Sequence, residues 1–167
     1  MESYAKGYFN LKYAYSGGLN MKGTVIIIIL CIGGVLSGCI QGRPSNLGVR
    51  DGRLADCPKS PNCVSSQSSD PEHAVAPLTY TGTASAAMSD LKKIIAGMKR
   101  AVVISETNMY LHVEFTSAVF RFVDDVEFFA DDTEKQIHVR SASRIGYSDF
   151  GVNRGRVGKI RNAWEHR

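Results

Sequence analysis

The densest run of polar side chains spans residues 140–154, where arginines and serines surround Gly146 and Gly151. Arginine presents a fixed fork of N–H donors, and a helix that starts near Val152 presents free backbone N–H groups with a partial positive charge. Together these groups can hold a phosphate or a carboxylate through charge-assisted hydrogen bonds. The predicted anion-binding or partner-binding residues are Arg140, Ser141, Ser143, Arg144, Tyr147, Asn153 and Arg154.

The same arginines can instead bind carboxylates of the protein itself. Asp124, Asp125 and Asp149 are the candidate internal partners. Guanidinium groups that converge without a counter-charge repel one another, so we expect these arginines to meet either the carboxylates or a bound anion. The internal network is the preferred interpretation, because Arg–carboxylate pairs can fasten the loops of a small domain.

A second group of polar residues alternates with apolar ones along the predicted strands. Its members are Tyr110, His112, Glu114, Arg121, Asp125, Glu127, His138 and Arg140. The simplest interpretation is a solvated sheet face with opposite charges paired across strands, and the alternative is a surface that binds an extended ligand. Histidines and carboxylates could also coordinate a metal, but here they come from different strands without a local ligand motif. We therefore expect no metal site and no cofactor.

The same residues do not match the common enzyme motifs. The segment 146–151 misses the nucleophile elbow by one residue, and the chain contains neither a zinc-protease HExxH motif nor a phosphate-binding loop. Asp124 and Asp125 are adjacent in a strand, so their carboxylates point to opposite faces of the sheet. No catalytic residue is predicted, and a hydrolase acting on envelope material is kept as the alternative function.

Hydrophobic periodicity predicts the elements that carry these residues. Apolar residues recur at helical spacing after Thr83, a candidate N-cap, and a second helix follows Val152. Alternation of period two predicts strands near residues 109–115, 125–128 and 137–141. Short connections favour antiparallel pairing, so the expected fold is an α+β two-layer sandwich with both helices on one face of the sheet.

The N-terminal region has the pattern of an export signal. Residues 23–38 form an apolar run that is shorter than the ~20 residues of a membrane-spanning helix. The tetrapeptide Leu36-Ser37-Gly38-Cys39 follows this run and resembles the lipobox of bacterial lipoproteins. The resemblance implies cleavage before Cys39 and attachment of Cys39 to diacylglycerol and fatty acid such as palmitate. An uncleaved anchor is the alternative.

The chain is accordingly divided into four parts. Residues 1–20 are rich in tyrosine and phenylalanine, unlike the start of a signal peptide. They are predicted not to be translated, and Met21 is predicted to be the true start. Residues 21–38 are the signal peptide, residues 39–53 the lipidated cysteine and a flexible tether, and residues 54–167 a single globular domain. The expected location is the cell envelope, on a membrane surface that faces the periplasm or the cell exterior.

The cysteine count and the net charge limit the possible compartment and binding partners. Of four cysteines, Cys57 and Cys63 alone belong to the predicted domain, and in an oxidising compartment they are expected to form a disulfide. Removal of residues 1–38 lowers the formal net charge from +4 to +2. This near-neutral charge gives no argument for nucleic-acid binding, so the expected partners are the membrane, through the lipid, and an anionic small molecule or an envelope protein.

Four segments carry a resemblance to a known family. They are CPKSPNCVSS, YLHVEF, FRFVDDVEF and RSASRIGYSDFGVNR. These segments resemble the family catalogued as domain of unknown function 1499, over about residues 54–161. The resemblance implies kinship with that family, which has no established activity to carry over.

Overall fold

The computed structural model describes residues 42–167, which belong to one compact unit. The predicted start at Met21, the signal peptide and the lipidation of Cys39 lie outside the described residues. No helix among residues 42–167 is both long enough and apolar enough to cross a membrane.

An antiparallel sheet of six strands forms the framework. The strands are β1 (Cys63–Ser65), β2 (Leu78–Thr79), β3 (Ala101–Glu106), β4 (Tyr110–Thr116), β5 (Val123–Asp131) and β6 (Gln136–Ser143). Strand order is β1-β6-β5-β4-β3, and β2 also pairs with β6. Strands β3 to β6 follow one another through short connections, as the alternation of apolar and polar residues predicts.

Two helices complete the fold, α1 (Ala84–Ala96) and α2 (Val152–Glu165). The predicted cap of α1 is confirmed, because the Thr83 side chain accepts a hydrogen bond from the Ala86 amide at 3.3 Å. Helix α2 starts after Gly151, whose φ of 80° favours glycine. The combination of an antiparallel sheet with two helices confirms the α+β class.

The hydrophobic core lies on one face of the sheet, called here the apolar face. This face carries Leu111, Val113, Phe115, Val126, Phe128, Ala130, Ile137 and Val139, all of them buried. Leu91 and Ile95 of α1 and Val157 and Ile160 of α2 join the same cluster. Burial of such side chains contributes roughly 1.5 to 3 kcal/mol each, and this packing fixes the register of the strands.

The opposite face, called the polar face, is covered as well. His112, Asp125, Glu127 and Arg140 are at most 5% exposed, so the expectation of a solvated face is wrong. The covering segment includes residues 43–48: Arg43 pairs with Glu114 at 2.8 Å, and the Gly48 amide donates to Glu127 at 2.7 Å. The composition of this segment predicts a tether, but its donors lie against the buried Glu127 and the partly buried Glu114 of the sheet.

The disulfide between Cys57 and Cys63 is formed, which confirms the predicted pairing. It closes the loop that leads into β1. The Asn62 carbonyl accepts hydrogen bonds from the Ser143 amide and the Asn153 side chain, both at 3.0 Å. The closed loop therefore holds the end of β6 and the start of α2 together.

Candidate functional site

Strand register brings the charged residues of the polar face together. His112 of β4 lies opposite Glu127 of β5, which lies opposite Arg140 of β6. Glu114 lies opposite Asp125 in the next polar row. With Tyr110 and Arg144, these residues form what is called here the polar cluster: Tyr110, His112, Glu114, Asp125, Glu127, Arg140 and Arg144.

Glu127 is the most deeply buried acid of the polar cluster, with no exposed surface. One carboxylate oxygen accepts hydrogen bonds from the Tyr110 hydroxyl at 2.8 Å and the Gly48 amide at 2.7 Å, and the other faces Arg140 at 3.3 Å. Burial, together with the neighbouring Glu127 carboxylate, raises the pKa of Tyr110 above its usual value. The phenol therefore stays protonated and acts as a hydrogen-bond donor.

Asp125 accepts hydrogen bonds from two sides. His112 Nε2 lies 2.7 Å from one oxygen, and the Arg144 guanidinium contacts both oxygens at 2.8 Å. Burial works against ionisation of Asp125, but the hydrogen bonds from Arg144 and His112 outweigh it and lower its pKa to about 2. This carboxylate is charged at neutral pH and is fixed in place by its partners.

Glu114 completes the contacts of Arg144. It accepts hydrogen bonds from Arg144 and, at 2.8 Å, from Arg43. Burial favours the neutral form of Glu114, but the hydrogen bonds from Arg43 and Arg144 outweigh it and hold the pKa of Glu114 below its usual value. The hydrogen bonds to Asp125 and Glu114 raise the pKa of Arg144 above its usual value. Arg144 is therefore tied to two carboxylates. The Nε atom of Arg140 is buried and has no hydrogen-bond partner among residues 42–167.

His112, Glu114 and Asp125 have ligand atoms within 4.8 Å of one another, the spacing of a metal site. However, the Arg144 guanidinium is already bound to both carboxylates of this group. A cation would have to displace a fixed positive charge from its two partners. The three residues therefore fit a buried ion-pair network better than a metal centre.

Several predicted anion-binding residues belong to a second network on the helix side of β6. Ser141 donates to Asn153 at 2.5 Å, and Asn153 donates to Ser143 at 3.0 Å. Arg156 joins them, donating to Ser141 at 3.0 Å and to Asp124 at 2.5 Å. These side chains are satisfied by one another and fasten α2 to the sheet.

The three arginines of the predicted corner do not converge. Arg140 and Arg144 lie in the polar cluster, whereas Arg154 donates to the backbone carbonyls of Glu72 and Ala74, both at 2.7 Å. Of the predicted acids, Asp125 meets Arg144. Asp124 instead meets Arg156, and Asp149 accepts hydrogen bonds from the amides of Gly151 and Asn153 at the start of α2.

Exposed groups collect where three connections meet at one end of the sheet, called here the loop end (residues 98–100, 117–122 and 144–152). Thr116 pairs with Val123 across the β4–β5 hairpin, the Thr116 amide donates to the Arg100 carbonyl, and the Arg144 amide donates to the Val123 carbonyl. An open cleft of about 570 Å³ lies here. Its cationic lining residues are Lys99, Arg100, Arg156 and Lys159.

A serine–histidine pair lies outside the polar cluster and the loop end, where the segment after β1 meets β6. Ser66 Oγ is 3.3 Å from His138 Nδ1, and burial lowers the pKa of His138. The same hydroxyl accepts a hydrogen bond from the Val139 amide at 2.9 Å. That contact ties the segment after β1 to β6.

Sequence reasoning missed Arg156, Arg43 and the exposed phenylalanines of the loop end, Phe120 and Phe150. Arg156 follows Asn153 by three residues in α2, which places both on the same helix face, and this spacing was available in the sequence. Arg43 gave no comparable signal, since its segment has the composition of a loop. Of the predicted binding residues, Tyr147 is 77% exposed, and Arg154 is exposed as well.

The fold and these networks define a small disulfide-bonded α+β domain with charged residues buried on the second face of its sheet. Residues 53–164 match the family model described as protein of unknown function DUF1499. The chain therefore belongs to this family. A search of curated proteins finds no match to the chain.

Proposed function

We propose that this protein is a lipid-anchored module of the cell envelope that binds an anionic partner at its loop end. The observation that carries the binding role is the cleft lined by Lys99, Arg100 and Lys159, which are exposed, unlike the arginines of the polar cluster. Anchoring is supported by the lipobox-like residues before Cys39. The Cys57–Cys63 disulfide supports an oxidising compartment.

The anion-accepting surface thus differs from the corner predicted from sequence. Arg140, Arg144, Ser141, Ser143 and Asn153 have partners within the domain. These side chains already hydrogen-bond to other groups of the domain, so an anion that binds Arg140 or Arg144 would have to compete with buried carboxylates. Lys99, Arg100 and Lys159 of the cleft carry positive charge without this competition, whereas Arg156 in the same lining is paired with Asp124.

Two measurements test the proposal. Cys39→Ala should abolish incorporation of labelled fatty acid, because only the thiol can take the diacylglycerol; labelled protein from this variant would contradict the anchor.

Phosphate should raise the melting temperature of the wild-type protein and have a smaller effect on Lys159→Gln, because ligand binding to the folded state stabilises it. An equal response of both proteins to phosphate would contradict binding at the cleft.

A hydrolase acting on envelope material is the second candidate, and the contact between Ser66 and His138 is the observation that favours it. Hydrolysis of an ester substrate that survives in Ser66→Ala would remove this candidate. Loss of hydrolysis in Ser66→Ala, with hydrolysis kept in Ser68→Ala, would support it instead of the binding role.

A further inference from the structure

The loop end exposes large apolar side chains on two of its connections. Val119 and Phe120 in the β4–β5 hairpin are 78% and 73% exposed, and Tyr147 and Phe150 before α2 are 77% and 95% exposed. Phe120 stacks on Phe122, with ring centroids 5.5 Å apart. Water-exposed aromatic groups gathered at one end of a domain indicate a contact surface, because they gain free energy when covered.

Basic residues accompany these apolar side chains. Lys99, Arg100, Arg121 and Lys159 are exposed, and within residues 42–167 none of the four forms an ion pair with a carboxylate. Arg121 lies between Phe120 and Phe122 on a left-handed backbone of φ 57°. Aromatic and aliphatic groups interleaved with cations fit the interface of a membrane that contains anionic lipids.

Arg43, the fourth residue after Cys39, lies nearer to the loop end than to the opposite end of β4. Arg43 contacts Glu114, which lies two residues before the end of β4 at the loop end. Cys39 precedes Arg43 by four residues, a distance of at most ~14 Å for an extended chain. Tyr110, at the far end of β4, lies ~13 Å from Glu114 along the strand, about twice as far as Thr116 at the loop end.

From these observations we propose that the loop end docks on the anionic lipid surface of the membrane that holds the Cys39 anchor, with Val119, Phe120, Tyr147 and Phe150 entering the interface. The inference rests on the proposed lipid anchor and names the anionic partner of the loop end. The lipid chain tethers the domain, and the loops then fix which end faces the bilayer. A second attachment of this kind strengthens a single lipid anchor.

Tryptophan fluorescence tests this orientation in the full lipidated protein. Trp164 is the single tryptophan and is buried, so the wild type provides the baseline. Phe150→Trp places a reporter at the loop end, and Met109→Trp places a matched reporter in the β3–β4 connection at the opposite end, where Met109 is 40% exposed. Each protein is reconstituted into vesicles of phosphatidylcholine and phosphatidylglycerol whose acyl chains carry bromine ~5 to 10 Å below the headgroups.

We expect bromine to quench Phe150→Trp strongly and to leave Met109→Trp near the baseline. Equal quenching of the two reporters, or none in either, in lipidated and vesicle-bound protein overturns the inference while the anchor stands. Protein without attached lipid contradicts the proposed function, and the inference falls with it. An unquenched loop end assigns the surface to a protein partner instead.

A charge variant tests the role of anionic lipid. Arg121→Gly in the Phe150→Trp protein should shift the equilibrium away from the docked state by about fivefold. Lys135→Gly is the matched control, because Lys135 also has a left-handed backbone, φ 53°, and lies in the β5–β6 turn at the opposite end. An equal effect of both substitutions, or quenching that is unchanged in vesicles of phosphatidylcholine alone, overturns the role of anionic headgroups.

Discussion

Charged side chains are buried and paired in the polar cluster but exposed at the loop end. In the polar cluster, Asp125 and Glu127 are almost fully buried, and each accepts hydrogen bonds from at least two donors. At the loop end, Arg100 and Arg121 are exposed together with aromatic side chains. A buried, mutually satisfied charge contributes to the specificity of the fold, whereas exposed charge is available to a ligand. The residues that maintain the structure are therefore distinct from the residues that can bind.

The largest expected effect is the loss of Arg144. Arg144→Ala should lower the free energy of unfolding by about 3 to 5 kcal/mol, because it leaves the buried Asp125 without its guanidinium partner and leaves Glu114 with Arg43 alone. Chemical denaturation of Arg144→Ala and of the control Arg121→Gly measures the difference. A change below about 1 kcal/mol in Arg144→Ala would show that the polar cluster contributes no more than an exposed pair.

Removal of the disulfide should have the next largest effect. The double variant Cys57→Ser/Cys63→Ser should lose roughly 2 kcal/mol of stability, since a short closed loop restricts the unfolded chain. The loop also holds Asn153 of α2 through the Asn62 carbonyl, so the loop end should become more mobile. Amide hydrogen exchange would detect this loosening near residues 144–152; unchanged exchange there would show that the disulfide does not support the loop end.

Acid should destabilise the polar cluster by protonating Asp125. The pKa of Asp125 falls from an ordinary value near 3.8 to about 2 on folding, so its contribution is fully present above pH ~4 and is lost as the pH falls toward 2. The expected loss is about 2 kcal/mol in this window. Denaturation curves between pH 2 and 5 should show a smaller slope with pH for Asp125→Asn; parallel slopes would assign the acid sensitivity to other carboxylates.

The smallest effect is expected at the loop end. Phe150 is 95% exposed and has φ 54°, a backbone conformation that glycine adopts without strain. Phe150→Gly should therefore change the free energy of unfolding by less than about 1 kcal/mol, and can raise it. Thermal unfolding of the variant beside Arg144→Ala measures the contrast. A large loss of stability would place Phe150 among the residues that maintain the fold.

The amino-acid sequence was sufficient to predict the α+β class, the principal strands, both helices and the Cys57–Cys63 pair. Periodicity carries this information because residues two apart in a strand, or three and four apart in a helix, share a face whatever the rest of the chain does. The same reasoning placed His112, Glu114, Asp125 and Arg140 on one face of the sheet. It also included Asp125 among the acids available to Arg144.

Burial and partner choice were decided only by the tertiary structure. Period two separates the faces of a sheet but does not say what covers each face, so the segment of Arg43 and Gly48 could not be predicted to lie over Glu127. Arg154 and Arg156 are two residues apart in α2 and point in different directions, toward backbone carbonyls and toward Asp124. Which arginine meets which carboxylate depends on the packing of α2 against the sheet, and this packing is set by contacts between residues far apart in the chain.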